Sequence, residues 1–395
     1  MTQQSILVCG AGIAGMACAL GLAKKAFAVE VLAPEMVRQS PRRDEYHPRV
    51  YAISGASQKF LASLGIWDLM DAERITPVQA MEIYGDGGGR LALDAWQDAR
   101  HTLTWIVESG EMERALRQAL KVYGVRWHDD QLASREGDTI HTASGKSLQA
   151  QLLVGADGAK STVRRVADIW HEFKAYGDSG LVTHLTTELP HQGVALQWFT
   201  GDAVVALLPM PDTEEGPQVS LVWSGPTEQI SELMALDDAA KVERLQTWLM
   251  GVTQGRLGAL RVRSKMFAFP LTFERTGMVA EGVALVGDAA HRVHPLAGQG
   301  LNLGLGDVEE LIRVLAAKPV HQSVGALSML ERYKRRRAEP IAAMRVVTDS
   351  LHSLFMAPQA PVVWARNAGM SVVNQLPFIK RRLIANAAGE WLVSL

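Results

Sequence analysis

Cysteine is almost missing from this chain of 395 residues: only Cys9 and Cys18 occur, at a spacing that suits neither a metal site nor a disulfide framework. That excludes a disulfide-stapled secreted scaffold and a dithiol redox enzyme. A reducing cytoplasm is the expected setting, with both thiols as small buried residues. Long apolar runs are missing too, since no uncharged stretch approaches the roughly eighteen residues of a spanning helix. Charge of one sign is missing as well. A formal net charge of −2 and a pI near 6.6 leave no electrostatic footprint for nucleic acid. No repeat or low-complexity block is visible, and the first strand-like run starts at Ser5, so no signal peptide is expected. There is no Ser/His/Asp elbow. His291 and His294 stand three residues apart in a glycine-rich loop with no carboxylate cluster, so no metal site is expected.

What is present is glycine in particular places. Residues 284–307 read ALVGDAAHRVHPLAGQGLNLGLGD. An apolar strand delivers Gly287 and Asp288 to its end, and a loop of small residues then opens a helix over about Leu301–Leu315. Asp288 can accept from a hydroxyl, while Gly298 and Gly300 admit close backbone approach. Amide groups at the helix start favour negative charge. A flavin, with its polyhydroxylated ribityl chain and anionic reduced edge, meets these demands.

Two further segments extend this to flavin adenine dinucleotide. Ser5–Cys9 is an apolar run followed by Gly10-Ala11-Gly12-Ile13-Ala14-Gly15 and an Ala/Leu-rich helical stretch to about Lys25. In that strand–turn–helix context Gly10 makes the tight turn, Gly12 admits the pyrophosphate and Gly15 lets helix pack on strand. Leu152–Arg164 repeats the strand, ending in an Asp157-Gly158 turn with Ser161 as the expected N-cap and Arg164 one turn on. After Val29–Leu32 an acid for the adenosine ribose is expected, but Ala33 stands there; Glu35 lies two residues beyond.

Between the cofactor segments the pattern changes to short β-branched and aromatic runs, such as Val194–Phe199, Ala203–Pro209 and Gln218–Ser224. The expected fold is α/β: a Rossmann-like FAD-binding domain with an inserted mixed β-sheet substrate domain and C-terminal helices. The FAD-binding domain is expected over 1–75, 105–172 and 271–350, and the β-rich domain over 76–104 and 173–270. Residues 325–345 read as a long helix with a basic face, and 351–395 as a helical C-terminal region. In that region apolar segments beside Arg366, Lys380, Arg381 and Arg382 suit either packing on the FAD domain or a membrane surface.

The three glycine segments, in this order, resemble those of the single-component FAD aromatic hydroxylases related to p-hydroxybenzoate hydroxylase. Residues 294–307, HPLAGQGLNLGLGD, are similar without a mismatch to the signature of the ubiquinone-biosynthesis hydroxylases. Arg49-Val-Tyr-Ala-Ile-Ser54 resembles that family's early element, whose arginine contacts the flavin cofactor. Residues 332–337 and 348–355 resemble its C-terminal helical region. The helix Glu111–Leu120 resembles a cofactor-contacting helix, with Ser109 where relatives often carry Arg or Asn and Arg114 closer to the pattern.

The resemblance implies cofactor contact by Gly10 to Gly15, Glu35, Arg49, Arg114, Asp157, Gly158, Gly287, Asp288, Pro295, Gly298, Gln299, Gly300, Leu301 and Asn302. It also implies NAD(P)H as reductant, and dioxygen adding at the flavin C4a position to form a hydroperoxide whose distal oxygen enters an electron-rich ring. The carbonyl of Pro295 would lie over that ring. No residue identifies itself as the proton acceptor. A polyprenylated phenol or quinol is the implied substrate. Hydroxylation of a small soluble aromatic and a flavin-binding regulatory protein stay open beside it. A prenyl-chain reductase or halogenase would share the fold, but the halogenase motif G-W-x-W-x-I-P is not found. Oligomeric state is open.

Overall fold

The mainly apolar run Ser5–Cys9 forms a central strand of a six-stranded sheet in this computed structural model, which describes residues 4–35, 45–292, 299–356 and 359–387. Ala28–Leu32 and Leu152–Gly155 flank it in parallel register, with Arg126–His128 at one edge and Val283–Leu285 and Val279–Ala280 at the other. Helices cover both faces of such a sheet, which is why its strands are continuously apolar rather than alternating. The helix Ile13–Lys24 buries nine of its residues between the helices Ser109–Val122 and Gly300–Ala316. Gly21 sits where a Cβ would meet Ile312 Cδ1 at 2.3 Å, so a larger residue there would have to displace that side chain. Cys9 and Cys18 are both buried here, and burial pushes the Cys18 thiol up to about 12.

The second body is a nine-stranded, mostly antiparallel sheet. Its main path runs His291–Arg292, Phe267–Thr276, His171–Thr187, Gly216–Pro226, Val204–Thr213, Val194–Phe199, Ala80–Tyr84, Arg90–Asp94. Val194–Phe199 and Ala80–Tyr84 are parallel neighbours. The chain therefore enters this sheet twice, once through 80–94 and again from 171 onward. Its return comes later than the boundary at 271 expected from sequence. Residues 267–276 stay paired with His171–Thr187 as far as Thr276. Helices Thr227–Met234 and Asp238–Thr253 cover one face, where Leu185, Leu207, Leu221 and Trp223 pack with Leu245 and Leu249. A small sheet, Val50–Ser54, Thr104–Glu108 and Ile75–Val78, stands between the two bodies.

The helix Leu327–Met356 is longer than the sequence suggests and carries Pro340 inside it. Two more helices, Ala360–Asn374 and Pro377–Ala387, complete the chain's described part. Of the four basic residues that suit either packing or a membrane surface, two are buried. Arg366 is 4% exposed, pairs with Asp86 and donates to the carbonyls of Leu354 and Phe355. Lys380 is also buried, with its ammonium 3.4 Å from Asn374 Oδ1. Asn367 beside Arg366 accepts from the amides of Gly87 and Gly89, so the hairpin tip at 85–89 is what these helices grip.

Candidate active site

The two sheets enclose a cavity of about 760 Å³, walled on one side by strand ends and helix starts of the parallel sheet. Gly12, Ile13, Ala14, Gly15, Arg49, Gly158, Gly287, Asp288, Gly300 and Leu301 all border it. Three segments far apart in sequence are thus brought to one wall. Gly10 and Ala11 lie just behind. Gly10 has φ +109° and a Cβ there would sit 2.2 Å from the Ala156 carbonyl oxygen, while one at Gly15 would strike the Gly10 oxygen at the same distance. These two glycines serve the corner itself.

Gly12 and Gly300 serve something else. Gly12 has an ordinary φ of −72°, and a Cβ at either position meets nothing within 4 Å among the described residues. Neither strain nor packing within the chain requires glycine there. The open space in front of them, beside two helix N-termini, fits a pyrophosphate and a ribityl chain.

Other expected cofactor residues take different places. The Asp157 carboxylate accepts from Ser161 Oγ at 2.5 Å, Thr162 N at 2.7 Å and Val163 N at 3.1 Å, capping the short helix Thr162–Val166. Ser161 accepts from Arg164 N, the expected cap. The Arg164 guanidinium then bonds the carbonyls of Ala159 and Ala289, tying this loop to the one after Gly287. Asn302 donates to the Ala52 carbonyl and accepts from Ser54 N, and also donates to Gln299 Oε1, so it fastens the helix start to the small sheet. Glu35 is exposed, with its amide donating to Asp129. Arg114 is held by Glu111, Gln118 and the Leu69 carbonyl, and neither it nor Glu35 borders the cavity. Pro295 and Gly298, with His294, lie outside the described residues.

Several residues at the site have roles that sequence reasoning did not assign. Asp307 is fully buried and accepts from Gly287 N at 3.0 Å, His291 Nε2 at 2.7 Å and Arg337 Nε at 2.7 Å. Burial alone would raise its pKa, but the His291 ring and the Arg337 guanidinium hold the carboxyl below its usual range. Glu108 accepts from His47 N and pairs with Arg74 at 2.6 Å, fixing the segment that brings His47 and Arg49 to the cavity. Its burial pushes its pKa up against those partners. The opposite wall is the uncovered face of the large sheet, including Val182, Ala206, Leu208 and Val222. Period-two alternation marks these positions, though only the fold says which face the helices leave free.

The FAD binding domain family matches residues 3–349. The chain is 33% identical to the ubiquinone hydroxylase UbiL of Rhodospirillum rubrum, over 97% of its own length and 89% of the relative's. It is 33% identical to the 3-demethoxyubiquinol 3-hydroxylase of Escherichia coli, over 98% of this chain and 100% of that one. The chain belongs to the FAD-dependent ubiquinone-biosynthesis hydroxylases. Among solved structures it shares its fold with the p-nitrophenol 4-monooxygenase of Pseudomonas putida, at TM-score 0.75 and 17% identity over 97% of this chain and 98% of that one. Klebsiella pneumoniae HpxO, solved with FAD and uric acid, matches at TM-score 0.73 and 17% identity, covering 98% and 96% of the two chains. Members of this family bind FAD.

Gly12→Val is expected to abolish FAD retention while leaving the far-ultraviolet circular dichroism of the apoprotein unchanged, since the added side chain clashes with nothing in the chain. A yellow, stoichiometrically loaded Gly12→Val protein would remove the pyrophosphate from this position. Asp307→Asn is expected to cost about 3–5 kcal/mol at neutral pH, because Arg337 stays buried without its counter-charge. The Asp307 pKa is depressed in the fold, so its contribution is present above the unfolded carboxyl value of about 3.9 and is lost as pH falls through the lower folded value. Urea unfolding should show a constant gap between wild type and variant near neutrality that starts to close below about pH 4. A gap that persists undiminished into strong acid would refute the ionic account.

Proposed function

We propose that this chain hydroxylates the ring of a polyprenylated phenol or quinol in ubiquinone biosynthesis, using NAD(P)H and dioxygen. The observation that carries this reading is the chemistry of the cavity's sheet wall. The strands Ala80–Tyr84, Val194–Phe199, Val204–Thr213 and Gly216–Pro226 present no charged residue to it. A small carboxylated phenol would need a cation on those strands; Arg49 and Arg292, which also border the cavity, lie outside them, and Arg292 is paired with Glu274. Phe267 and Phe269 border the cavity and are 44% and 38% exposed, so an apolar surface continues from the ring site to the outside. That suits a ring with a long apolar chain.

Gly12, Gly158, Asp288 and Gly300 would hold the cofactor, with Arg49 beside it. Bound FAD supplies the redox chemistry: reduction by NAD(P)H and activation of dioxygen for transfer to the ring. The chain's own task is to place the ring against the glycine wall and to keep water out by lining the remainder with apolar side chains.

The substrate's source points to peripheral membrane contact from the cytoplasmic side. Among the described residues no helix is long and apolar enough to cross a membrane. The C-terminal helices expose Trp364 (74%) and Phe378 (70%), and Trp96 (71%) stands in the turn against which the last helix packs. Arg381 and Arg382 are exposed on that last helix, which supports docking on an anionic surface.

A short-chain prenylated phenol in detergent should accelerate NAD(P)H consumption and acquire one atom from labelled dioxygen. Label arriving from water instead, or hydrogen peroxide as the only product, would defeat this reading. The wild type should co-sediment with anionic liposomes, and the double substitution Trp364→Ser, Phe378→Ser should reduce that at least severalfold. Equal sedimentation of the two proteins would rule out this surface.

A further inference from the structure

Two buried polar atoms on the sheet side of the cavity have no hydrogen-bond partner among the described residues: Ser220 Oγ and His184 Nδ1. Buried polar atoms are nearly always satisfied, so two orphans together suggest a group that the chain itself does not provide. They belong to directly opposed residues, because the antiparallel strands His171–Thr187 and Gly216–Pro226 pair His184 with Ser220. Ser220, Val222 and Val182 border the cavity, and Val182 pairs with Val222, so alternation puts His184 on the same face, in the row of Ser220. Opposed Cβ atoms lie about 4.5–5.5 Å apart, which leaves the serine hydroxyl one rotation from the imidazole.

The state of the ring follows from its other contacts. His184 Nε2 lies 2.9 Å from the His47 carbonyl oxygen, which can only accept. Nε2 therefore carries the hydrogen, and Nδ1 presents a lone pair. At 2% exposure, burial holds the His184 pKa below the ordinary imidazole value, and the Arg263 charge acts in the same direction. The edge of Tyr46 packs on the ring at 6.0 Å between centroids, and Ser264 Oγ accepts from the His184 amide, so the ring is fixed from the neighbouring segments.

We propose that Ser220, backed by His184, is the subsite for the substrate's ring hydroxyl, and that it selects the phenol or quinol over the corresponding quinone or methyl ether. This rests on the reading of the cavity as an aromatic site. Ser220 donates its hydrogen to His184 Nδ1 and turns its lone pairs to the cavity. A ring O–H donates to that oxygen and satisfies both orphans at once. A quinone carbonyl or an aryl ether has no hydrogen to give. Either Ser220 turns away from His184 to donate to it, or two lone pairs face each other; in both cases one buried atom stays unpaired. The same chain draws the phenol hydrogen toward Ser220 and enriches the ring in electron density, while the proton stays on the phenol. His184 does not border the cavity and acts through Ser220, as a positioning residue.

The test uses the FAD-loaded enzyme, titrated with a short-chain prenylated phenol and with its O-methyl ether, with binding read from the perturbed flavin absorbance. Wild type should prefer the phenol by about tenfold or more, the worth of one hydrogen bond. Ser220→Ala should bind the two ligands equally. Ser220→Thr, which restores a hydroxyl, should recover the preference, and His184→Phe should lose it although the residue does not meet the ligand. An undiminished preference in Ser220→Ala would overturn the subsite, as would a wild type that hydroxylates the phenol yet binds the ether as tightly; in both cases the hydroxylase reading stands. A wild type that neither binds nor hydroxylates the phenol would overturn that reading and the subsite with it.

Discussion

One carboxylate, Asp307, decides whether this site exists. It is buried without any water contact and joins three stretches of chain: the loop at Gly287, the ring of His291 and the guanidinium of Arg337 thirty residues on. Arg337 also reaches back to the Leu303 carbonyl, and Tyr333, on the same helix, donates to the Leu285 carbonyl. A Cβ at Gly304 would already approach Gly287 Cα at 3.0 Å. The strand end, the helix start and the long basic helix are thus locked in one geometry, and the cofactor wall is their shared surface. A buried charge held this way adds little net stability over an apolar substitute, but losing one partner leaves the other stranded.

The opposing wall depends on alternation. The strands His171–Thr187, Val204–Thr213 and Gly216–Pro226 give one face to helices Thr227–Met234 and Asp238–Thr253 and the other to the cavity. Slipping Gly216–Pro226 by a residue would bring Leu221 and Trp223 into the cavity and bury Ser220 among leucines. The cavity keeps its apolar character, and its few polar atoms keep their places, because the helix-covered face has too much apolar surface to expose. The site and the core of this body are two sides of the same register.

The glycine-lined wall of the cavity was largely legible in the sequence because it is built from local turns. Gly10, Gly12 and Gly15 lie within one strand–helix corner, and Ser161 caps its helix from three residues away. Their roles follow from short-range geometry that any chain with that pattern adopts. Of the residues that sequence reading placed differently, Arg366 and Arg114 take partners far along the chain, whereas Asp157 takes local ones. Arg366 looks like a solvent cation until Asp86, 280 residues earlier, is brought to it. Arg114 looks like a cofactor contact until Glu111 and the Leu69 carbonyl claim it. Asp157 looks like a ligand group, and its own helix amides take its oxygens.

By itself the sequence determined the class of cofactor and the alternation of the inserted sheet, since each is written in neighbouring residues. Only the tertiary structure decided which face of that sheet meets the cofactor wall, which charges are paired in the interior, and that His184 and Ser220 stand opposite one another. Strand pairing and ion pairing join residues tens to hundreds of positions apart. Their free energy depends on burial, which has no value until the whole chain has closed around them.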